Sequence, residues 1–250
     1  MTVQLVGRSR RQQQRRATID DIKQVARELL VDEGVDSVTI RAIARRRGMT
    51  APAVYRYFTS HEELLGSLRD DVFAEISRHV RNACADLAPD DTPRRLITTS
   101  RALRRWVLDH PNEFELLLAP TGICQSHDAE GPLGRDSGRV FGQLFADLTA
   151  ELWRSHPFPV GPPGSLPPQL HEQLDRLRSP HHEDLPVEAV AVILRHWLRL
   201  YGLICMEGVG HLRFALGDSS LFFEHELADV CRSLGIGHLY APPADRPATD

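Results

Sequence analysis

Apolar residues along the chain recur at helical rather than strand spacing. Ile19, Ile22, Val25, Ala26, Leu29 and Leu30 fall on one stripe of a 3.6-residue period. Thr18 precedes them as an N-cap, and Asp21 adds a carboxylate to the first turn. Gly34 suits a left-handed C-cap. A second, short helix is expected from Thr39, an N-cap residue, through Arg47, with Ile40, Ile43 and Ala44 inward and Gly48 ending it. Thr50 caps a third over about 51–57, with Pro52 tolerated in its first turn and Val54 and Phe58 pointing inward. Ser60-His61-Glu62-Glu63 reads as a capping box that opens a long fourth helix, with Leu65, Leu68, Val72, Ile76, Val80, Ala83 and Leu87 on its stripe.

Beyond residue 88 the pattern stays helical and is punctuated by proline. Helices are expected from Thr92-Pro93 to about Leu108, from Pro111 to Leu118, over about 136–154, around 169–178, from Pro186 to about Glu207, and over 219–234. Residues 120–134 read as a loop, and the proline-rich stretch 156–168 as irregular. No segment alternates like a strand, so the expected class is all-α. Four divisions follow: a flexible basic arm over 1–17, a helix-turn-helix domain over 18–66, a larger α-helical body over 67–240, and a disordered tail over 241–250.

Composition adds two limits. With 250 residues, 42% of them hydrophobic, the chain can bury a substantial core. No run approaches the ~18 uncharged apolar residues of a membrane helix, and the N-terminal residues lack a secretory pattern. The four cysteines are far apart, so a reduced, cytoplasmic protein without a membrane partner is expected.

Charge changes the picture more. The net charge of −4 argues against a polyanionic partner, but it is unevenly spread. The first 60 residues hold 12 basic and 6 acidic side chains and carry +6, so the remainder carries −10. A basic end on an acidic body is the asymmetry expected when one part meets nucleic acid. Helix, short helix, glycine turn and short helix together form a helix-turn-helix, whose last helix lies in a major groove while the previous one crosses the backbone. Ala42, Ala44 and Gly48 are small enough for close crossing.

The run TIRAIARRRGMTAPAVYRYFTSHEELL (Thr39–Leu65) resembles the N-terminal domain of the TetR family of bacterial transcriptional repressors. Thr39, Arg41, Ile43, Ala44, Gly48, Thr50, Val54, Tyr55, Tyr57, Phe58, Ser60 and Leu64 match its pattern, whereas His61 stands where the family usually has lysine. HPNEFELLLAP (His110–Pro120) and HWLRLYGLICMEGVG (His196–Gly210) resemble one subgroup of TetR regulatory domains, with Tyr201 in place of that subgroup's motif histidine. The resemblance implies a homodimer that binds a near-palindromic double-stranded DNA operator and is released by a small-molecule effector. In that scheme the fourth helix links the domains and moves when the effector binds. Repression is the family's usual mode.

Candidate DNA-contacting residues are Thr39, Arg41, Thr50, Ala51, Pro52, Ala53, Tyr55, Arg56, Tyr57 and His61. Thr50, Ala51 and Ala53 suit base edges, where methyl groups meet thymine methyls, and Thr39, Tyr55 and Tyr57 suit phosphates. Arg45, Arg46 and Arg47 are either phosphate contacts or a solvated face. Arg15 and Arg16 are either an arm entering the minor groove or a disordered basic tail. Trp106, Phe114, Leu117, Phe145, Trp197, Tyr201 and Cys205 either line an effector pocket or fill the core. Leu194, Leu198, Phe222, Phe223, Leu227 and Val230 are candidates for a dimer interface built as a four-helix bundle.

His181-His182-Glu183-Asp184 holds metal-ligand types, but neighbours in a proline-flanked loop do not converge on one ion, so no metal or cofactor is expected. No nucleophile–base pairing supports an enzyme. The alternatives to a regulator are an adaptor that keeps the helix-turn-helix without reading an operator and, behind it, an all-α enzyme.

Overall fold

The computed structural model describes residues 2–118, 136–178 and 184–243, with side chains from Arg10 onward and, in the seventh helix, from Gly138. Among the described residues there are ten α-helices and no strands: α1 (Thr2–Glu33), α2 (Ile40–Arg47), α3 (Ala51–Tyr55), α4 (His61–Ala83), α5 (Thr92–Asp109), α6 (Pro111–Leu118), α7 (Asp136–Ser155), α8 (Pro168–Leu177), α9 (Val187–Gly208) and α10 (Ser220–Ser233). Short 3₁₀ turns at Val35–Ser37 and Gly237–Leu239 complete them. The loop expected at 120–134, the histidines at 181 and 182, and most of the 241–250 tail lie outside the described residues.

Three expectations about the first helix are corrected. Residues 1–17 are not an irregular arm, because α1 is continuous from Thr2. Gln and Arg are strong helix formers and nothing between 2 and 33 is proline, so local propensity extends the helix that the core nucleates. Thr18 is therefore no cap, and its hydroxyl donates back to the Gln14 carbonyl within the helix (2.9 Å). Gly34 has φ +84° and ψ 176°, an extended conformation open only to glycine, rather than the left-handed cap. Gly48, at φ +70° and ψ 31°, does take the left-handed C-cap.

The chain separates into two compact units, Met1–Glu75 with His110–Arg139, and Ile76–Asp109 with Val140–Asp250. The division falls at Glu75/Ile76, later in α4 than the expected 66/67, and α6 belongs with the first three helices. The first core joins Ile22, Ala26 and Leu30 of α1, Ile40 and Ile43 of α2, Val54 and Phe58, Leu64 and Leu68 of α4, and Leu116 of α6. Polar contacts hold α6 there. Buried Arg69 donates through Nε to the Leu116 carbonyl (2.9 Å), Asn112 donates to the Val31 carbonyl (2.8 Å), and Arg27 reaches both Glu75 (2.6 Å) and Glu113 (3.6 Å).

In the second unit, Phe141, Phe145, Trp197 and Tyr201 form one aromatic cluster, with Trp197 and Tyr201 stacked at 4.7 Å. Helix α9 is long and apolar enough, by length and composition, to cross a membrane. Its Arg199 nevertheless pairs with Glu226 and Asp229 of α10, so that side faces protein. Further along this contact, His196 Nε2 lies 3.0 Å from Ser233 Oγ. Its Nδ1 is buried without a partner.

Burial, reinforced by the Arg199 and Arg195 charges and only partly offset by Asp229, lowers the His196 pKa from its ordinary 6.5. A proton added at Nδ1 has no acceptor there. The unfolded chain takes up that proton as the pH falls through about 6.5, while the folded chain resists it. Stability is therefore lost on the acid side of that value. A thermal melt at pH 5.5 should give a lower Tm than at pH 7.5, and His196→Asn should reduce this difference. Equal acid sensitivity in the two proteins would exclude His196 as a source.

Candidate nucleic-acid interface

The surface predicted to read DNA is built on two very short helices. Thr39 caps α2 by accepting from the Ala42 N–H (3.1 Å), so its hydroxyl is engaged in the cap. The turn closes through Gly48, and the Met49 N–H donates to the Ala44 carbonyl (2.8 Å). The Thr50 carbonyl accepts from the Ala53 and Val54 N–H groups at the start of α3, but its side chain makes no cap bond and stays exposed. Burial of Val54 and Phe58 turns Pro52, Tyr55 and Arg56 outward, with Tyr55 49% exposed and Ala51 and Ala53 half-buried at the edge. Thr39, Arg41, Thr50 and residues 51–56 thus sit in or beside one helix-turn-helix, mostly on its solvent side.

Two predicted residues differ in situation. Tyr57 is half-buried, with the Arg15 guanidinium 5.6 Å from its ring centroid. His61 is half-buried and uses Nε2 to engage the Val38 carbonyl, which ties the start of α4 to the chain entering α2. Carboxylates surround that helix start. Ser60 Oγ accepts from the Glu63 N–H (3.0 Å), and the Glu63 carboxylate accepts from the Thr59 hydroxyl and N–H. Hydrogen bonds from the Thr59 hydroxyl and N–H lower the Glu63 pKa. His61 therefore acts here as a positioning residue next to two acids, Glu62 and Glu63.

The three consecutive arginines separate by partner. Arg46 pairs with Asp32 (3.5 Å) and Glu33 (3.6 Å), and Arg47 pairs with Asp21, all on α1. These charges brace α2 against α1. Arg45 is exposed, with no ion pair among the described residues, and is the one left to face a ligand. Helical spacing could have separated Arg45 from its neighbours, but it could not show which acids of α1 come close.

The proposed pocket residues divide between the two units. Trp106 is buried in the second unit, and Phe114 and Leu117 are buried in the first with α6. Phe145, Trp197 and Tyr201 make the aromatic cluster, and burial, with Cys205 at the hydroxyl, raises the Tyr201 pKa. An open cavity of about 580 Å³ in the second unit is lined instead by Val80, Arg81, Cys84, Arg95, Thr99, Val140, Gln143, Leu144, Asp147, Leu148 and Glu151. No candidate from the sequence lines it. Of the proposed dimer face, Phe223, Leu227 and Val230 are buried in the protomer's own core, because that stripe of α10 packs inward. Leu198 (61%) and Phe222 (44%) stay exposed, and Leu194 is half-buried. Among the described residues no group of three or more His, Cys, Asp or Glu is placed to hold a metal ion.

Residues 22–68 match the bacterial regulatory proteins of the tetR family, and residues 96–230 match the tetracyclin repressor-like C-terminal domain. The HTH-type transcriptional regulator Rv1816 of Mycobacterium tuberculosis is 34% identical over 134 residues, covering 52% of this chain and 56% of that protein. The match thus spans about half the length of such relatives. The tetracycline repressor protein class A from transposon 1721 of Escherichia coli is 35% identical over 83 residues, covering 33% and 37% of the two chains. The crystal structure of SCO4313, named as a candidate regulatory protein, superposes with a TM-score of 0.60 at 27% identity, over 88% of this chain and 97% of that one. A Rhodococcus sp. RHA1 protein of unknown function shares the fold with a TM-score of 0.58 at 16% identity, covering 86% and 92%.

Thr39→Ala removes the α2 cap and should destabilise the chain by about 1 kcal/mol. Urea denaturation should show a lower midpoint with an unchanged slope. An unchanged midpoint would mean that the cap bond contributes nothing in solution.

Proposed function

The chain belongs to the TetR family of bacterial regulatory proteins, and from that premise we propose that it is a dimeric, effector-responsive repressor that reads a near-palindromic operator. The observation that carries this reading is the solvent-facing set Thr50, Pro52, Tyr55 and Arg56 on a helix-turn-helix whose inner side is fully packed. In this reading α3 enters the major groove. Thr50, Ala51 and Ala53 meet base edges, Tyr55 and Arg56 meet phosphates, and Arg45 adds a cation beside them.

Dimerisation uses the apolar surface that α9 and α10 leave unpaired within one protomer, around Leu198 and Phe222. Two copies related by a two-fold axis present two recognition helices to two half-sites. The effector is a small molecule held in the second unit, where the cavity of about 580 Å³ falls within the size range of ligand sites. Helix α4 runs through both units and is one covalent route by which occupancy of one alters the other. Affinity for effector and for DNA are then reciprocally coupled.

An electrophoretic mobility assay on DNA upstream of the protein's own gene should give a shifted complex that weakens as salt rises. Tyr55→Ala should lose about tenfold in affinity on every sequence, roughly one charge-assisted hydrogen bond. Ala53→Ser should instead change the preferred base. No sequence-preferring complex at moderate salt would overturn the reading, and two variants indistinguishable from the parent would displace α3 from the groove.

A further inference from the structure

Helix α1 does not end where its core contacts end. Ile19 and Ile22 are the first of its residues against the core, yet the helix extends N-terminally beyond them, and residues 10–17 are exposed throughout. Seven and eleven residues before Ile22 are near-whole numbers of turns, so Arg15 and Arg11 continue the stripe that buries Ile22, Ala26 and Leu29. The inward stripe turns cationic at the point where it overhangs the packed core.

Arg15 sets the direction of this overhang. Its guanidinium lies over the ring of Tyr57, just past the end of α3, and its charge is felt by Glu63. The overhang therefore reaches the same edge as Tyr55 and Arg56. Arg10, Arg11 and Arg16 have no ion-pair partner among the described residues, whereas Lys23, Arg27, Arg46 and Arg47 are each paired with carboxylates inside this unit. The family match begins only at residue 22, so the overhang lies outside the shared domain.

We propose that residues 10–17 of α1 form a second DNA-contact surface, in which Arg11 and Arg15 on the inward stripe, with Arg10 and Arg16 on either side of it, lie along the phosphate backbone that flanks the half-site. This rests on the DNA-binding reading above. A helix with its side chains is about 10–12 Å across, and the minor groove is about 6 Å wide, so the helix cannot enter that groove as a flexible arm would. Its eight residues rise about 12 Å, enough to face several phosphates. The row adds affinity and length of site without reading bases.

The test uses the full chain and a footprinted operator in two lengths, one ending at the half-site edges and one carrying eight further natural base pairs on each side. The parent should bind the long duplex about tenfold more tightly at low salt. The triple variant Arg10→Gln, Arg11→Gln and Arg16→Gln should lose that gain and keep the parent's affinity for the short duplex. Its plot of log affinity against log salt should be shallower by about 0.9 for each phosphate that the row no longer neutralises.

Glutamine is a comparable helix former, so circular dichroism and Tm should not change. The corresponding lysine triple should restore the salt slope. A glutamine variant that keeps the parent's flank gain and slope overturns the proposal. So does one that changes only the oligomeric state in sedimentation, because the row would then face protein. A parent that binds neither duplex overturns the DNA-binding reading itself, a distinct result.

Discussion

A helix of five residues has no stability of its own in water, because its nucleation is never repaid by enough hydrogen bonds. Everything proposed for this protein nevertheless depends on α3, which is that short. What holds it is burial. Val54 is completely inaccessible and Phe58 nearly so, both in the buried cluster that also holds Ile22, Ile43 and Leu64. Once those two side chains point inward, helical geometry leaves Pro52, Tyr55 and Arg56 no choice but to point outward. The Gly48 turn and the Thr39 cap then set the entry angle. The outward presentation of these side chains is a by-product of the core packing behind them.

Electrostatics divides the basic end by the same logic. The +6 of the first 60 residues is not a uniform cloud. Lys23, Arg27, Arg46 and Arg47 are neutralised by acids on α1, α4 and α6 and serve as struts between helices. The cations left over among the described side chains are Arg41 and Arg45 of α2, Arg56 just past α3, and the arginines of the N-terminal overhang. A surface sorted in this way confines attraction for a polyanion to one edge. The −10 of the remaining chain repels it elsewhere. The Arg27–Glu113 pair and the Arg69 and Asn112 hydrogen bonds that fix α6 to α1 and α4 also explain why the first compact unit takes in a helix so distant in sequence.

Most of the fold is legible in the pattern of apolar residues. The starts of α5, α6 and α9 are announced by proline, and the ends of α2 through α10 fall within a residue or two of where periodicity stops, with α4 ending somewhat earlier than its stripe suggests. The helix-turn-helix is legible too, because its glycine, its small crossing residues and its caps are local requirements. The N-terminal segment departs from its expected form because low apolarity is not absence of structure. Gln and Arg propagate a helix well once Ile19 and Ile22 have nucleated it. The inward face of α10 is hidden from the sequence for another reason. Phe222 and Phe223 are adjacent and equally apolar, yet one is exposed and the other has no accessible surface. Composition cannot distinguish a helix with one buried stripe from a helix with two.

The amino-acid sequence by itself determined most of the helices, the Thr39 and Gly48 caps and the helix-turn-helix, since each is set by interactions within a few residues. Only the tertiary structure decided which basic side chains are spent on Asp21, Asp32, Glu33 and Glu75, and that His61 serves the Val38 carbonyl. It also decided that Phe223, Leu227 and Val230 are core while Leu198 and Phe222 are surface, and that the cavity is lined by other residues than the aromatic ones expected to line one. These outcomes depend on which distant surfaces meet. Burial and ion pairing are properties of that meeting, and no local pattern encodes it.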